Sequence, residues 1–103
     1  MDTLSVIKAL SNETRYHILE WLKDPDQHFG SINQMPSGCD FAGGVCVGAI
    51  SAKSGLAQSV ISSYLVKMQK AGLLEARRHC QWTYYRRNEQ GIAAFKESIL
   101  KDL

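Results

Sequence analysis

Apolar residues recur at helical spacing in five stretches of the chain, and they alternate with polar residues in two others. The helical spacing predicts helices over residues 2–10, 12–23, 48–54, 58–71 and 89–103. Ser11 is the predicted N-cap of the second helix. Asp24-Pro25-Asp26 is its predicted end, because proline disfavours a helical conformation in the residue before it. The alternation predicts strands over 73–78 and 81–88, joined at His79-Cys80, and the β-branched run 45–47 predicts a short strand before the third helix.

The segment 24–44 is the least regular part of the chain. It holds both prolines and four of the eight glycines, and it shows no clear periodicity. A segment of this length without regular secondary structure is unusual in a compact domain. We therefore expect the segment to be functional, to be mobile or to contain a short helix around 31–35. In the rest of the chain, the predicted elements include a helix, a turn, a second helix and a hairpin. This is the order of elements in a winged helix-turn-helix. We therefore predict one mainly α domain over 1–103 with a β-hairpin wing, an α+β fold.

Length and composition restrict the class of protein. No apolar run approaches the roughly 20 residues that a membrane span needs, and the first ten residues lack the basic leader of a secretory signal. Three cysteines do not make a disulfide framework and fit a reducing cytosol better. We expect a cytoplasmic protein with no membrane partner.

Charge is unevenly distributed along the chain. The net charge is only +2, but residues 45–88 hold seven basic residues and one acid, a net +6, whereas the rest holds five basic and nine acidic residues, a net −4. Positive charge gathered on one part of a small protein is typical of a surface that binds a polyanion. The alternative is a solvated basic face with no partner.

The predicted helix 58–71 has the character of a DNA-reading helix. Ile61, Tyr64, Leu65 and Met68 share one side, and serines and lysines without any acid occupy the opposite arc. On double-stranded DNA we expect three serines to reach base edges or phosphates, a glutamine to pair with adenine and a valine to touch a thymine methyl, with six cations neutralising phosphates. The predicted DNA-binding residues are Gln58, Ser59, Val60, Ser62, Ser63, Lys67, Lys70, Arg77, Arg78, Arg86 and Arg87.

Two other classes of function are alternatives to DNA binding. A winged-helix module that binds proteins and has lost DNA binding would not require the clustered basic charge. An enzyme is poorly supported, since the sequence shows no activated nucleophile, no paired carboxylates in one element and no phosphate-binding loop. We therefore expect no catalytic residue and no cofactor.

The last helix has an apolar stripe with no core partner nearby in the sequence. Together with the first helix, this stripe predicts the interface of a homodimer. The predicted interface residues are Leu4, Ile7, Ile92, Phe95 and Ile99.

Three motifs resemble the ArsR/SmtB family of small dimeric winged-helix repressors. ALSNETRYHILEWL resembles the family's second-helix signature, GLAQSVISSYLVKMQKAGLL its recognition helix, and RRHCQWTYYRR its wing. The three occur in the family's order and spacing, and the resemblance covers nearly all of the chain outside 24–44. The resemblance implies a repressor that blocks a promoter. Ala57 departs from the pattern, because a serine usually caps the recognition helix there, and Ser63 and Tyr64 stand where histidines are common.

Many members of that family sense metals, but the standard sites are incomplete here. The arsenic-type cysteine triad falls on Cys46, Gly48 and Ser51, so two thiolates are missing, and the last helix has no histidine for a zinc-type site. We therefore predict no metal site. Cys39 and Cys46 remain as a possible thiol or redox sensor, through a disulfide or a thiophilic ligand. The alternative is that Cys46 is a buried apolar residue and Cys39 an incidental loop residue.

Overall fold

The computed structural model describes residues 2–36 and 39–103, and it contains six α-helices, one 3₁₀ turn and three strands. The helices are α1 (Thr3–Leu10), α2 (Glu13–Trp21), α3 (Pro25–Phe29), α4 (Val47–Ser54), α5 (Gln58–Lys70) and α6 (Glu89–Asp102). The strands are β1 (Val45–Cys46), β2 (Leu74–His79) and β3 (Trp82–Arg87), and the 3₁₀ turn is Ser31–Asn33. The predicted mainly α fold with a hairpin wing is confirmed.

The three strands form one antiparallel sheet in the order β1-β3-β2. We call the β2–β3 hairpin, Leu74–Arg87, the wing. Its register pairs Leu74 with Arg87 at the base and His79 with Trp82 at the tip, so the turn is Cys80-Gln81 rather than the predicted His79-Cys80. Cys80 has a positive φ of 56°, as the tight connection requires. β1 pairs with the base of β3 and therefore joins the chain before α4 to the wing.

One prediction about the first part of the chain was wrong, and another was incomplete. Asn12, not Ser11, is the N-cap of α2, because its side chain accepts a hydrogen bond from the Arg15 amide at 3.0 Å. Asp24-Pro25-Asp26 does end α2, but it also starts α3: the Asp24 side chain caps that helix and Pro25 lies in its first turn. Proline suits the first turn because the missing N–H has no partner there in any helix.

The main hydrophobic core lies between the helices and the inner face of the wing. Val6, Ile18, Ile50, Ile61 and Leu65 are fully buried in it. A second, smaller cluster of Met35, Phe41 and Tyr84 lies on the wing's other face. The segment 24–44, predicted to be irregular, thus contains α3 and the 3₁₀ turn. It also supplies apolar side chains that pack on the sheet.

The last helix has a core partner, contrary to the sequence prediction. Ile92 is 5% exposed and lies in the main core, and Phe95 packs against it. Ile92 therefore has almost no surface left for a second subunit. The outward apolar side chains of the two terminal helices include Leu4, Ile7 and Leu100, and Leu103 follows the end of α6. None of the helices in the described residues combines the length and apolar character that a membrane crossing requires.

Candidate nucleic-acid interface

The turn between α4 and α5 is fixed by its own hydrogen bonds. Gly55 ends α4 in the left-handed conformation, with φ of 74°, which costs glycine little. The Ser51 hydroxyl donates to the Leu56 carbonyl at 2.7 Å, and the Leu56 amide donates to the Ser54 hydroxyl at 3.1 Å. These bonds hold α5 at a defined angle to α4, as a helix-turn-helix requires.

Helix α5 has one buried face and one open face. Ile61, Leu65 and Met68 are fully buried, as the helical spacing predicted. The predicted DNA-binding residues of α5 lie on the other face: Gln58, Ser59, Val60, Ser63, Lys67 and Lys70 are exposed, and Ser62 is half-buried. Ala57 gives no side-chain cap, so the first-turn amides of α5 have no capping acceptor from that residue.

Arg15, in α2, contacts both α1 and α5 and so fixes their relative position. Its Nε donates to the Ala9 carbonyl at 2.7 Å at the end of α1, and its guanidinium lies 5.0 Å from the centre of the Tyr64 ring in α5. Asn12, the cap of α2, also contacts the Tyr64 hydroxyl at 3.5 Å. The open face of α5 is therefore fixed relative to α1 by a buried cation and its aromatic partner.

A cleft of about 240 Å³ separates the start of α5 from the wing. Gln58 and Ser62 line it from α5, Val47 and Gly48 from α4, and Gln81, Trp82 and Thr83 from the wing. Polar groups from the recognition helix and from the wing thus face one open groove.

The two faces of the wing carry different arginines. Side chains of cross-strand partners share a face. Arg78 pairs with Thr83, which lines the cleft, so Arg78 lies on the face toward α5. Arg77 lies on the outer face, where its guanidinium donates to the Asp40 carbonyl and lies 5.0 Å from the Phe41 ring centre.

The last two wing arginines have partners within the protein. Arg86 contacts Glu75 at 3.4 Å and donates to the Ala42 carbonyl at 3.3 Å. Arg87, whose side chain is only 10% exposed, pairs with Glu89 at 2.8 Å and donates to the Leu19 carbonyl at 3.1 Å. The hydrogen bonds and charge of Arg87 lower the pKa of Glu89. Arg87 therefore joins the base of the wing to α2 and to the first residue of α6.

Comparison with known proteins agrees with this geometry. The chain is 40% identical over 103 residues, all of both chains, to the "Uncharacterized HTH-type transcriptional regulator YbzH" of Bacillus subtilis. It is 31% identical over 86 residues to the "Putative arsenical resistance operon repressor ArsR2" of Halobacterium salinarum, covering 84% of this chain and 59% of that protein.

Solved structures give the same result. The solution structure of the homodimeric winged helix-turn-helix DNA-binding domain of Mb0332 from Mycobacterium bovis, described as "a possible ArsR-family transcriptional regulator", aligns with a TM-score of 0.65. It is 28% identical, covering 96% of this chain and 77% of that one. The chain belongs to the ArsR/SmtB family of winged-helix transcriptional regulators. No family model matches it.

The cysteines of this ArsR/SmtB protein are not among the residues that line the cleft. Cys39 and Cys46 are half-buried, free, and packed against the Met35, Phe41 and Tyr84 cluster, while Cys80 is exposed at the wing tip. The Cys39 sulfur lies 3.8 Å from Nδ1 of His79. Within residues 2–36 and 39–103, no group of three or more His, Cys, Asp or Glu side chains is placed to hold a metal ion.

Sequence reasoning missed several residues of this family member's interface. Thr83 and Gln81 line the cleft, and Trp82 is exposed beside it. Pairing the two predicted strands about the predicted His79-Cys80 turn would have placed Thr83 opposite Ala76, and therefore on the same face of the hairpin as Arg78. The role of Phe41 had no local signal, since it lies in a segment without periodicity.

Proposed function

We propose that this protein is a homodimeric transcriptional repressor that binds a palindromic DNA operator and acts in the cytoplasm, by binding rather than by catalysis. The observation that carries the proposal is the groove in which Gln58 and Ser62 of α5 face Thr83 of the wing, with Arg78 beside it. The exposed face of α5 adds hydroxyls and lysines and has no carboxylate.

The proposed binding mode follows from which side chains are exposed and which are held by other parts of the protein. α5 enters the major groove, where Gln58, Ser59 and Ser63 reach base edges. Lys67 and Lys70, at the end of the same helix, neutralise phosphates together with Arg78. Arg77, Arg86 and Arg87 hold the wing in place instead, because each guanidinium contacts a part of the protein outside the hairpin. The contact of Arg78, at 3.4 Å, is to the Cys80 carbonyl in the turn of the wing itself.

The proposed dimer uses the outward faces of α1 and α6. The two helices lie together, and the Thr3 hydroxyl donates to the Ser98 hydroxyl at 3.0 Å. Leu4 and Ile7 are exposed on α1, and Ile99 is half-buried on α6. A two-fold axis there would present two copies of α5 to half-sites roughly 34 Å apart.

For release from DNA we propose thiol chemistry at Cys39 and Cys46. Both thiols are free, and both pack on the apolar cluster that covers the outer face of the wing. An external two-electron oxidant, such as a peroxide, would join them as a disulfide with loss of both thiol protons. The bridge would change the segment that leads into β1 and α4, and with it the angle of the recognition helix.

The experiment that tests DNA binding is selection of duplexes from a random pool by the purified protein, followed by titration at several salt concentrations. We expect a palindromic consensus and an affinity that falls steeply with salt, as phosphate contacts require. Failure to enrich any sequence, with no salt-dependent binding, would favour the protein-interaction module instead.

A further inference from the structure

The outer face of the wing is covered by residues 39–44, which we call the covering segment. At its centre is Phe41, which is 2% exposed and packs with Met35 and Tyr84. Tyr84 belongs to β3, so the covering segment is attached to the hairpin itself. Gly44 lies so close to the Phe41 ring that a Cβ there would overlap it.

Two wing arginines enclose the Phe41 ring. The guanidinium carbons of Arg77 and Arg86 lie 5.0 and 4.2 Å from the ring centre. Both distances are within the range of a cation–π interaction, which is stronger where the ring is desolvated. The two strands of the hairpin are thus fastened to one ring, since Arg77 is in β2 and Arg86 in β3.

Backbone carbonyls of the covering segment complete the attachment. Arg77 donates to the carbonyl of Asp40, and Arg86 to that of Ala42, at 3.3 Å, so the residues on either side of Phe41 are both used. Nearer the tip of the wing, Cys39 lies 3.8 Å from His79. Three successive positions of β2's outer face then have a partner: Glu75 with Arg86, Arg77 with Asp40 and His79 with Cys39.

The covering segment continues directly into the helix-turn-helix. The Met35 amide donates to the Gly44 carbonyl at 2.8 Å, and Val45-Cys46 pair with Tyr85 and Tyr84 of the wing before α4 begins. A two-stranded hairpin alone is marginally stable in water. Its position relative to α5 therefore depends on the main core against its inner face and on the covering segment against its outer face.

We infer that Phe41 is a positioning residue for DNA binding: it fixes the wing through Arg77 and Arg86 without itself touching DNA. The consequence for DNA rests on the proposed function, whereas the attachment of the wing does not. Loss of the aromatic face should leave the wing free to move and should release two cations from the protein.

The first test uses the DNA-free protein and hydrogen exchange of the wing amides. Phe41→Leu keeps an apolar side chain but removes the ring face. Phe29→Leu is the matched control, because Phe29 is similarly buried, at 8%, but lies in the main core. We expect amides of residues 77–84 to exchange roughly tenfold faster in Phe41→Leu and unchanged in Phe29→Leu. Equal exchange in the two variants would overturn the inference, whatever the protein binds.

The second test compares binding to the selected operator and to a scrambled duplex. Phe41→Leu should weaken operator binding roughly tenfold while scrambled-duplex binding holds, with no decrease in its salt dependence. Arg77→Gln should do the same, and the double variant should be no worse than the weaker single variant, because both act through one contact. Equal losses on both duplexes, or additive losses in the double variant, would overturn the positioning role. A wild-type protein that binds no duplex would contradict the proposed function, and the hydrogen-exchange result would still stand.

Discussion

Arg77 and Arg78 are adjacent in β2, yet their side chains lie on opposite faces of the wing. Arg77 is bound to the Asp40 carbonyl and the Phe41 ring on the outer face. Arg78 is exposed and pairs with Thr83 on the face that borders the cleft. Both arginines were predicted to contact phosphate, and the alternation of the strand separates them.

The two arginines should therefore respond differently to replacement. Arg78→Ala should weaken binding to operator and to scrambled DNA by similar factors and should flatten the salt dependence by roughly 0.9 of a slope unit, the contribution of one phosphate contact. Arg77→Ala should leave the slope unchanged. Titration by fluorescence anisotropy at four salt concentrations measures both. Equal slopes in the two variants would contradict the division of the wing into two faces.

Local patterns in the sequence predicted most of the fold. The buried face of α5 and the two wing strands follow from apolar periodicity, which is set within a few residues. Ser11 was predicted as the cap of α2, but the next residue, Asn12, is of an equally suitable type, and only the backbone geometry shows that Asn12 is the cap. Arg87 was predicted to contact phosphate from its charge alone. Its partners within the protein are Glu89 and the Leu19 carbonyl, and the second of these lies 68 positions away in the sequence. Such long-range contacts leave no periodic signal.

The apolar residues that were predicted to form the dimer interface should divide into a core residue of α6, Ile92, and residues that contact the second subunit. Ile7→Asp, on the exposed face of α1, should give a folded monomer that binds operator far more weakly, because one half-site supplies only part of the contacts. Ile92→Asp should instead unfold the protein, since an unpaired carboxylate would enter the core. Sedimentation velocity together with circular dichroism distinguishes the two outcomes. A dimeric Ile7→Asp protein would place the interface elsewhere.

Gly91 should tolerate no side chain. A Cβ there would overlap the Gly72 carbonyl oxygen, in the turn after α5, and the Asn88 side chain that caps α6. Gly91→Ala should lower the free energy of unfolding by about 1–3 kcal/mol. Gly48→Ala is the control, because nothing lies within contact of a Cβ there, and it should be neutral or raise stability by less than about 1 kcal/mol. Urea denaturation measures both, and equal effects would contradict the close packing of α6 on α5.

His17 should titrate above its ordinary range. Hydrogen bonds and charge from Glu20, at 3.0 Å, and from Glu13, at 3.6 Å, raise the pKa of His17. A raised pKa in the folded state stabilises the fold below the unfolded value of about 6.5, and this stabilisation is lost as the pH rises through the folded pKa. The wild type should therefore exceed His17→Gln in stability more at pH 5.5 than at pH 8.5. Thermal melts at the two pH values test this, and an NMR midpoint at or below 6.5 would contradict it.

The proposed thiol response should require Cys46 and should not require Cys80. Cys39 and Cys46 pack on one apolar cluster, whereas Cys80 is exposed at the wing tip. Oxidant should join Cys39 to Cys46 within one chain and lower operator affinity, because the bridge would pull on the segment that enters β1 and α4. Reductant should restore both. Cys80→Ser should respond like the wild type, and Cys46→Ser should not respond. Peptide mass spectrometry after oxidation decides the matter: without a Cys39–Cys46 bridge, or with a bridged protein that binds operator as tightly as the reduced one, Cys46 is a packing residue and the release signal lies elsewhere.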